Sequence, residues 1–108
     1  MPRETSIQKT IKNKLSKLGW FVIKISQDEK HAGFPDLLAL KNNRALLIET
    51  KTLEGKLRKI QYYLGLKIKG YNNDIIVARS WKDVYNYLKK HNLLKEDKHY
   101  GRKRNKGC

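Results

Sequence analysis

The sequence of 108 residues has little cysteine, few acidic residues and no long apolar segment. Its single cysteine, Cys108, excludes an intramolecular disulfide and a cysteine-rich zinc site, which is typical of a reducing compartment. Apolar runs such as residues 45–48 are far shorter than the roughly 18 residues of a membrane-spanning helix. The N-terminus shows no basic segment followed by a hydrophobic stretch. We therefore expect a cytoplasmic protein with no membrane partner.

Acidic residues are scarce relative to basic ones. The chain has 10 Asp and Glu against 25 Lys and Arg, so its formal net charge is +15 and its pI is about 10.0. This surplus favours polyanions, because counterions released from nucleic acid drive association. The length suits one domain, since a second core needs roughly another hundred residues. Composition therefore predicts a single nucleic-acid-binding domain, without separating a binding protein from an enzyme.

Hydrophobic periodicity predicts the element order αβββαβα. The first helix ends near Gly19, three strands follow at residues 20–26, 36–40 and 45–51, and the first of these has the profile of a buried strand. The apolar stripes of the three helices are Ile7, Ile11, Leu15 and Leu18; then Leu57, Ile60, Leu64 and Ile68; then Trp81, Val84, Tyr85 and Leu88. A fourth strand is predicted at residues 74–78, and Ser80 with Asp83 resembles an N-cap and its reciprocal partner. The pattern predicts a domain over residues 1–94 and a flexible basic tail over residues 95–108.

A turn between the second and third strands brings two acids together. Asn42 and Asn43 tolerate positive φ, and a hairpin turning there pairs residues whose numbers sum to 85. Asp36 then faces Glu49, with Cβ atoms roughly 4.5–5.5 Å apart and both carboxylates within reach of one cation. Lys51 lies on the same face as Glu49, because side chains alternate along a strand.

Two more polar residues lie on apolar helix stripes. Glu4 precedes Ile7 by three residues, and Gln61 follows Leu57 by four, so both are predicted to face inward. A buried carboxylate must be hydrogen-bonded, neutralised or metal-bound, because an unpaired buried charge costs several kcal/mol. The alternative for Glu4 is a favourable charge at a helix N-terminus, and for Gln61 a hydrogen-bonded core amide.

The acids also have ordinary alternatives: a turn at Asp36 after Pro35, and a surface pair between Glu49 and Lys51. Convergence of three of the ten acids favours a metal site, because a divalent cation offsets their repulsion. An all-oxygen ligand set indicates Mg²⁺ or Mn²⁺ rather than zinc. The histidines lack zinc-motif spacing and are expected at the surface or in loops: His31, His91 and His99.

The segment GFPDLLALKNNRALLIETK, residues 33–51, resembles the core of the PD-(D/E)xK nuclease superfamily. The nearer resemblance is to the VRR-NUC family, and it covers roughly residues 4–90. The matching residues, in order, are Glu4, Gly33, Asp36, Glu49, Lys51 and Gln61. The sequence departs from the family at residues 58–60, where relatives often have a Pro and a Glu.

The resemblance implies a restriction-endonuclease-like domain of the α+β class, with a mixed four-stranded sheet flanked by helices. It implies an Mg²⁺-dependent endodeoxyribonuclease that leaves a 5′-phosphate and a 3′-hydroxyl. Asp36, Glu49 and the backbone carbonyl of Thr50 would hold the metal, and Glu4 would help. Lys51 would position the attacking water and offset transition-state charge. Gln61 would orient Lys51, a water or the DNA backbone.

Basic residues around the site are expected to contact DNA, with a solvated surface as the alternative: Lys30, His31, Lys56, Arg58 and Lys59. The chain has no room for a sequence-reading module, so cutting of branched DNA such as Holliday junctions or flaps is expected. Small members of the family resemble Holliday-junction resolvases, which implies a homodimer. The surplus of tyrosines in the second half of the chain is expected to line its interface, with scattered surface residues as the alternative: Tyr62, Tyr63, Tyr71, Tyr85 and Tyr87. The rival functions are a non-catalytic basic nucleic-acid-binding protein and a restriction-type or mismatch endonuclease.

Overall fold

The computed structural model describes residues 3–25, 33–71 and 74–94, and the elements in this part of the chain follow the predicted order. They are α1 (Glu4–Lys17), β1 (Phe21–Lys24), β2 (Leu37–Lys41), β3 (Arg44–Thr50), α2 (Lys59–Gly70), β4 (Asp74–Ala78) and α3 (Trp81–Lys90). Lys30, His31 and the predicted tail lie outside the described residues. No helix in the described part of the chain has the length and apolarity needed to cross a membrane.

The strands form one mixed sheet in the order β1-β2-β3-β4. β2 pairs antiparallel with both β1 and β3, and β4 runs parallel to β3. A parallel pair requires a crossover connection, and α2 provides it. The protein is therefore an α+β domain with a mixed four-stranded sheet and flanking helices, as predicted.

The β2–β3 hairpin has the predicted register. Asn42 and Asn43 have φ values of 48° and 65°, as a type I′ turn requires. Leu38 pairs with Leu47, and the regular pairing ends where Leu37 pairs with Ile48. Asp36 therefore lies immediately beyond the paired part of β2, at the end of the sheet opposite the turn.

The core lies on one face of the sheet, beneath α1 and α3. The largest fully buried side chains of these helices are Ile11, Leu15, Val84 and Leu88, and those of the sheet include Leu37, Leu46 and Ile48. Two details of the third helix were predicted wrongly. Tyr85 is 40% exposed, and the side chain of Ser80 accepts no capping hydrogen bond. The carboxylate of Asp83 instead accepts a hydrogen bond from the backbone N–H of Arg79 at 2.8 Å.

The opposite face of the sheet is only partly covered. Phe21 is 64% exposed and Ile23 is 40% exposed, so β1 is buried on one face rather than on both as predicted. The predicted stripe of the second helix is likewise not buried, and Ile60 is 44% exposed. The reason is that α2 packs along β4 at one edge of the sheet and leaves the outer face of β1 and β2 open.

Candidate active site

The side chain of Asp36 closes the end of the β2–β3 hairpin. Its Oδ2 accepts a hydrogen bond from the backbone N–H of Thr50 at 2.8 Å and another from Thr50 Oγ1 at 2.7 Å. Both residues are buried, with exposed fractions of 8% for Asp36 and zero for Thr50. The carboxylate therefore turns toward Thr50, whereas the sequence predicted only that Asp36 faces Glu49.

Gln8 of α1 extends this contact into a chain of hydrogen bonds. Its Nε2 donates to Thr50 Oγ1 at 3.0 Å, and both groups are buried. The single hydroxyl proton of Thr50 goes to Asp36, so the hydroxyl can only accept from Gln8. The amide of Gln8 is thereby oriented, and its Oε1 stays buried without a hydrogen-bond partner among the described residues. Sequence analysis missed Gln8, although its position one helical turn after Glu4 was a usable signal.

Glu49 is held by the second helix. Gln61 Nε2 donates to Glu49 Oε2 at 2.6 Å, and Gln61 Oε1 accepts from the backbone N–H of Arg58 at 2.8 Å. The Arg58 contact fixes which end of the amide faces Glu49, because a backbone N–H can only donate. Of the three partners predicted for Gln61, which were Lys51, a water and the DNA backbone, none is the one it contacts here: its amide donates to Glu49.

The carboxylate of Glu49 is buried and close to charges of both signs. Its residue is 4% exposed, and Lys51 Nζ lies 3.9 Å from Glu49 Oε2. Burial, followed by the charge of Asp36, raises the pKa of Glu49 from 4.5 to about 7. Lys51 and Arg58 act in the opposite direction, and Glu4 adds to the increase. Glu49 Oε1 is buried and has no hydrogen-bond partner among the described residues.

The three predicted acids do not form a compact cluster. Glu4 is half-buried at the first position of α1, close enough for its charge to raise the pKa of Glu49. Within residues 3–25, 33–71 and 74–94, no group of three His, Cys, Asp or Glu side chains is placed to hold a metal ion. Glu4 as a third metal ligand therefore stays a prediction: its charge acts on Glu49, but it lies on a different element from the hairpin end that carries Asp36 and Glu49.

Arg79 fixes the turn that follows Lys51. Its Nη1 donates to the backbone carbonyls of Thr52 at 2.6 Å and Gly55 at 2.5 Å. A Cβ added at Gly55 would lie 3.5 Å from Cδ of Lys51, so the turn packs against the stem of that lysine. Arg79 follows Ala78, whose carbonyl accepts from the N–H of Lys51 at 3.0 Å. Sequence analysis missed Arg79, since nothing in its immediate neighbourhood distinguishes it from the other arginines.

Three of the predicted DNA-contacting residues lie in the segment that leads from this turn into α2. Lys56, Arg58 and Lys59 are all exposed. Arg58 is the one whose charge acts on the acids, because it lowers the pKa of Glu49. The segment therefore places positive charge beside the buried carboxylates.

Comparisons with known proteins identify the fold. No family model and no curated protein matches the chain. A solved structure described as "VRR_NUC domain" superposes with a TM-score of 0.71 at 28% identity, covering 84% of this chain and 98% of that chain. The chain has the VRR-NUC domain fold. A second structure, described as "VRR_NUC domain protein", gives a TM-score of 0.70 at 19% identity, covering 89% and 93%.

VRR-NUC is a nuclease fold, and a resident Mg²⁺ is the group that it implies. The donor set at the sheet end fits this ion, because Mg²⁺ is commonly bound by one or two carboxylates, with waters and substrate phosphate completing its shell. Asp36 and Glu49 are the two buried carboxylates here. The unpartnered Oε1 of Glu49 is an acceptor that a cation or its bound water would satisfy.

Proposed function

We propose that this protein is an Mg²⁺-dependent DNA endonuclease that hydrolyses phosphodiester bonds. The observation that carries the proposal is Glu49, a buried carboxylate with one unpartnered oxygen, beside the buried Asp36 and Lys51. A protein that only binds DNA has no use for such a group next to phosphates. The net charge of +15 supports a polyanionic substrate.

Each polar side chain has a separate task in this proposal. Asp36, Glu49 and the backbone carbonyl of Thr50 hold Mg²⁺, and the negative charge of Glu4 contributes to the field there. When bound, the ion polarises the scissile phosphate and lowers the pKa of a water. Lys51 orients the attacking water and stabilises the extra negative charge on the phosphate oxygens. Gln61 orients the carboxylate of Glu49, to which it donates.

Phosphate contacts position the substrate without reading its sequence. Lys56, Arg58 and Lys59 are exposed next to the acids and make these contacts in our proposal. Lys30 and His31 remain predicted contacts outside the described residues. Because phosphate contacts carry no sequence information, we propose that the protein selects branched DNA such as a junction or a flap by shape.

We also propose a homodimer, in which two sites act on opposed strands. Exposed aromatic residues support such an interface: Tyr71 and Tyr85 have exposed fractions of 73% and 40%. Tyr87 is excluded from this surface, since it is half-buried and hydrogen-bonds to Asp74. Light scattering at micromolar concentration tests the proposal, and a monomer would contradict it.

The test of the reaction uses a labelled four-way junction, a flap and a linear duplex, each with Mg²⁺, Mn²⁺ or EDTA. Asp36→Asn and Lys51→Ala should abolish metal-dependent cutting while junction binding persists. Lys82→Ala, at an exposed lysine of α3, is the matched control and should cut normally. Cutting that survives Asp36→Asn contradicts the mechanism, and binding without cutting in every condition favours the non-catalytic alternative. Preference for linear duplex contradicts only the branched substrate.

A further inference from the structure

A groove between α2 and the outer face of the sheet opens directly from the candidate active site. Its volume is about 360 Å³, and Glu49 and Gln61 form part of its wall. The remaining wall is mainly apolar and includes Leu57, Tyr62, Leu66, Ile75, Val77 and Lys69. None of the α2 side chains is fully buried, so the helix leaves this space open to solvent.

We propose that this groove receives an unpaired nucleobase of the DNA strand held at Asp36 and Glu49. The inference rests on the proposed nuclease function and narrows its substrate to DNA with an unpaired base beside the cut. The groove and the acids share Glu49 and Gln61, so a nucleotide whose phosphate reaches the acids has its base next to the groove entrance. The base is attached to that phosphate through one sugar, so it lies within one nucleotide of the acids.

The size of the groove also points to a base. Pockets for small organic groups have volumes of roughly 300–1,000 Å³, and a base needs an apolar wall with few polar groups. Lys69, on the wall of the groove, provides a cation for the phosphate on the far side of the base.

Tyr62 is the residue that we assign to stacking. Tyr62 is 59% exposed and lines the groove, so its side chain is accessible to a base that enters there. Aromatic side chains stack on unpaired bases of any sequence, which suits an enzyme that selects shape. The next residue, Tyr63, is 76% exposed and does not line the groove, so it offers a matched control on the same helix.

The experiment places 2-aminopurine, a fluorescent base, unpaired beside the cleavage position and measures emission in EDTA, so that cutting is not needed. We expect quenching on binding, and Tyr62→Ala should remove it and weaken binding about 5- to 100-fold. Tyr62→Trp should restore the quenching and the affinity, and Tyr63→Ala should leave the quenching and the affinity unchanged. A fully paired duplex carrying the same probe should show no such quenching.

A second variant tests whether the base needs the open volume of the groove as well as the aromatic ring of Tyr62. Gly65 lines the groove, and a Cβ added there would lie 3.9 Å from Cδ1 of Ile75. Gly65→Leu should fill the groove and remove quenching while Tyr62 is intact, with the circular dichroism spectrum confirming the fold.

Three outcomes overturn the groove assignment without touching the nuclease proposal. They are absence of quenching in the unmodified protein, equal loss in Tyr62→Ala and Tyr63→Ala, and a change of oligomeric state in Tyr62→Ala by light scattering. The last result would assign the surface to a second copy of the chain. If quenching is observed but the protein cuts no DNA under any condition, the base-binding role of the groove is retained and the proposed nuclease function is rejected.

Discussion

Thr50 donates both its backbone N–H and its hydroxyl to one carboxylate oxygen of Asp36, at 2.8 and 2.7 Å. Asp36 stands one residue beyond the last pair of the β2–β3 ladder. Its side chain accepts from the backbone N–H of Thr50, which lies beyond the regular pairing of β2 with β3. This pair of bonds fixes the carboxylate before any metal arrives. Gln8 in turn donates to the Thr50 hydroxyl, so three elements determine one carboxylate orientation.

Removing the hydroxyl of Thr50 should weaken metal binding. Thr50→Val keeps the shape and the backbone N–H but deletes the bond to Asp36 and the acceptor for Gln8. Loss of a residue that orients a metal ligand typically costs about 10- to 100-fold in affinity or activity. Isothermal titration with Mg²⁺ should show this loss, and Thr50→Ser should restore most of the affinity. Equal affinities for Thr50→Val and the unmodified protein would contradict the assigned role.

The raised pKa of Glu49 predicts a pH dependence of folding without metal. Glu49 titrates at about 7 when folded, against 4.5 as the ordinary value, so folding makes the ionised form less favourable. Below pH 4.5 the carboxyl is protonated in both the folded and the unfolded chain, so Glu49 does not lower the free energy of unfolding. This free energy falls as the pH rises from 4.5 to 7, and above pH 7 it stays lower by on the order of 3 kcal/mol.

Urea unfolding at pH 5 and pH 8 in EDTA checks this dependence. Glu49→Gln should be more stable than the unmodified protein at pH 8 and should lose most of the pH dependence. Glu54→Gln, at an exposed glutamate, is the control and should follow the unmodified protein. Mg²⁺ competes with the proton, so its affinity should rise about tenfold per pH unit up to pH 7. Unchanged pH dependence in Glu49→Gln would contradict the assignment.

The Arg79 guanidinium should matter for the rate of cutting more than for DNA binding. Arg79→Ala removes the hydrogen bonds to the carbonyls of Thr52 and Gly55, and so frees the turn that packs on Lys51. A displaced Lys51 no longer meets the charge that develops on the phosphate, so we expect kcat to fall about tenfold or more with little change in KM. A tenfold rise in KM with unchanged kcat would show that Arg79 acts on DNA binding instead.

Salt dependence should distinguish phosphate contacts from other surface lysines. Each of Lys56→Gln, Arg58→Gln and Lys59→Gln should reduce the slope of log K against log salt by about 0.9 on duplex DNA, because one phosphate contact is lost. Lys89→Gln, an exposed position on α3, should leave the slope unchanged. Fluorescence anisotropy across a salt series measures these slopes. If the variants of Lys56, Arg58 and Lys59 leave the slope unchanged, these three residues do not contact the DNA phosphates.

Local sequence signals predicted the elements because they depend on neighbours along the chain. Helical spacing placed α1 and α3, and the pair Asn42 and Asn43 specified a turn whose register the structure confirms. The same signals failed for burial. Ile23 and Ile60 are apolar and correctly placed in a strand and a helix, but both are exposed, because burial depends on which elements cover a face.

The sequence by itself determined the order of elements, the hairpin register and the surplus of positive charge, since each follows from residue type and spacing. Only the tertiary structure decided that Asp36 turns to Thr50 and that Gln8 joins them. Gln8 and Thr50 are 42 residues apart, and no local pattern relates them. Their contact arises because α1 packs on the sheet, where a buried hydroxyl must find both an acceptor and a donor.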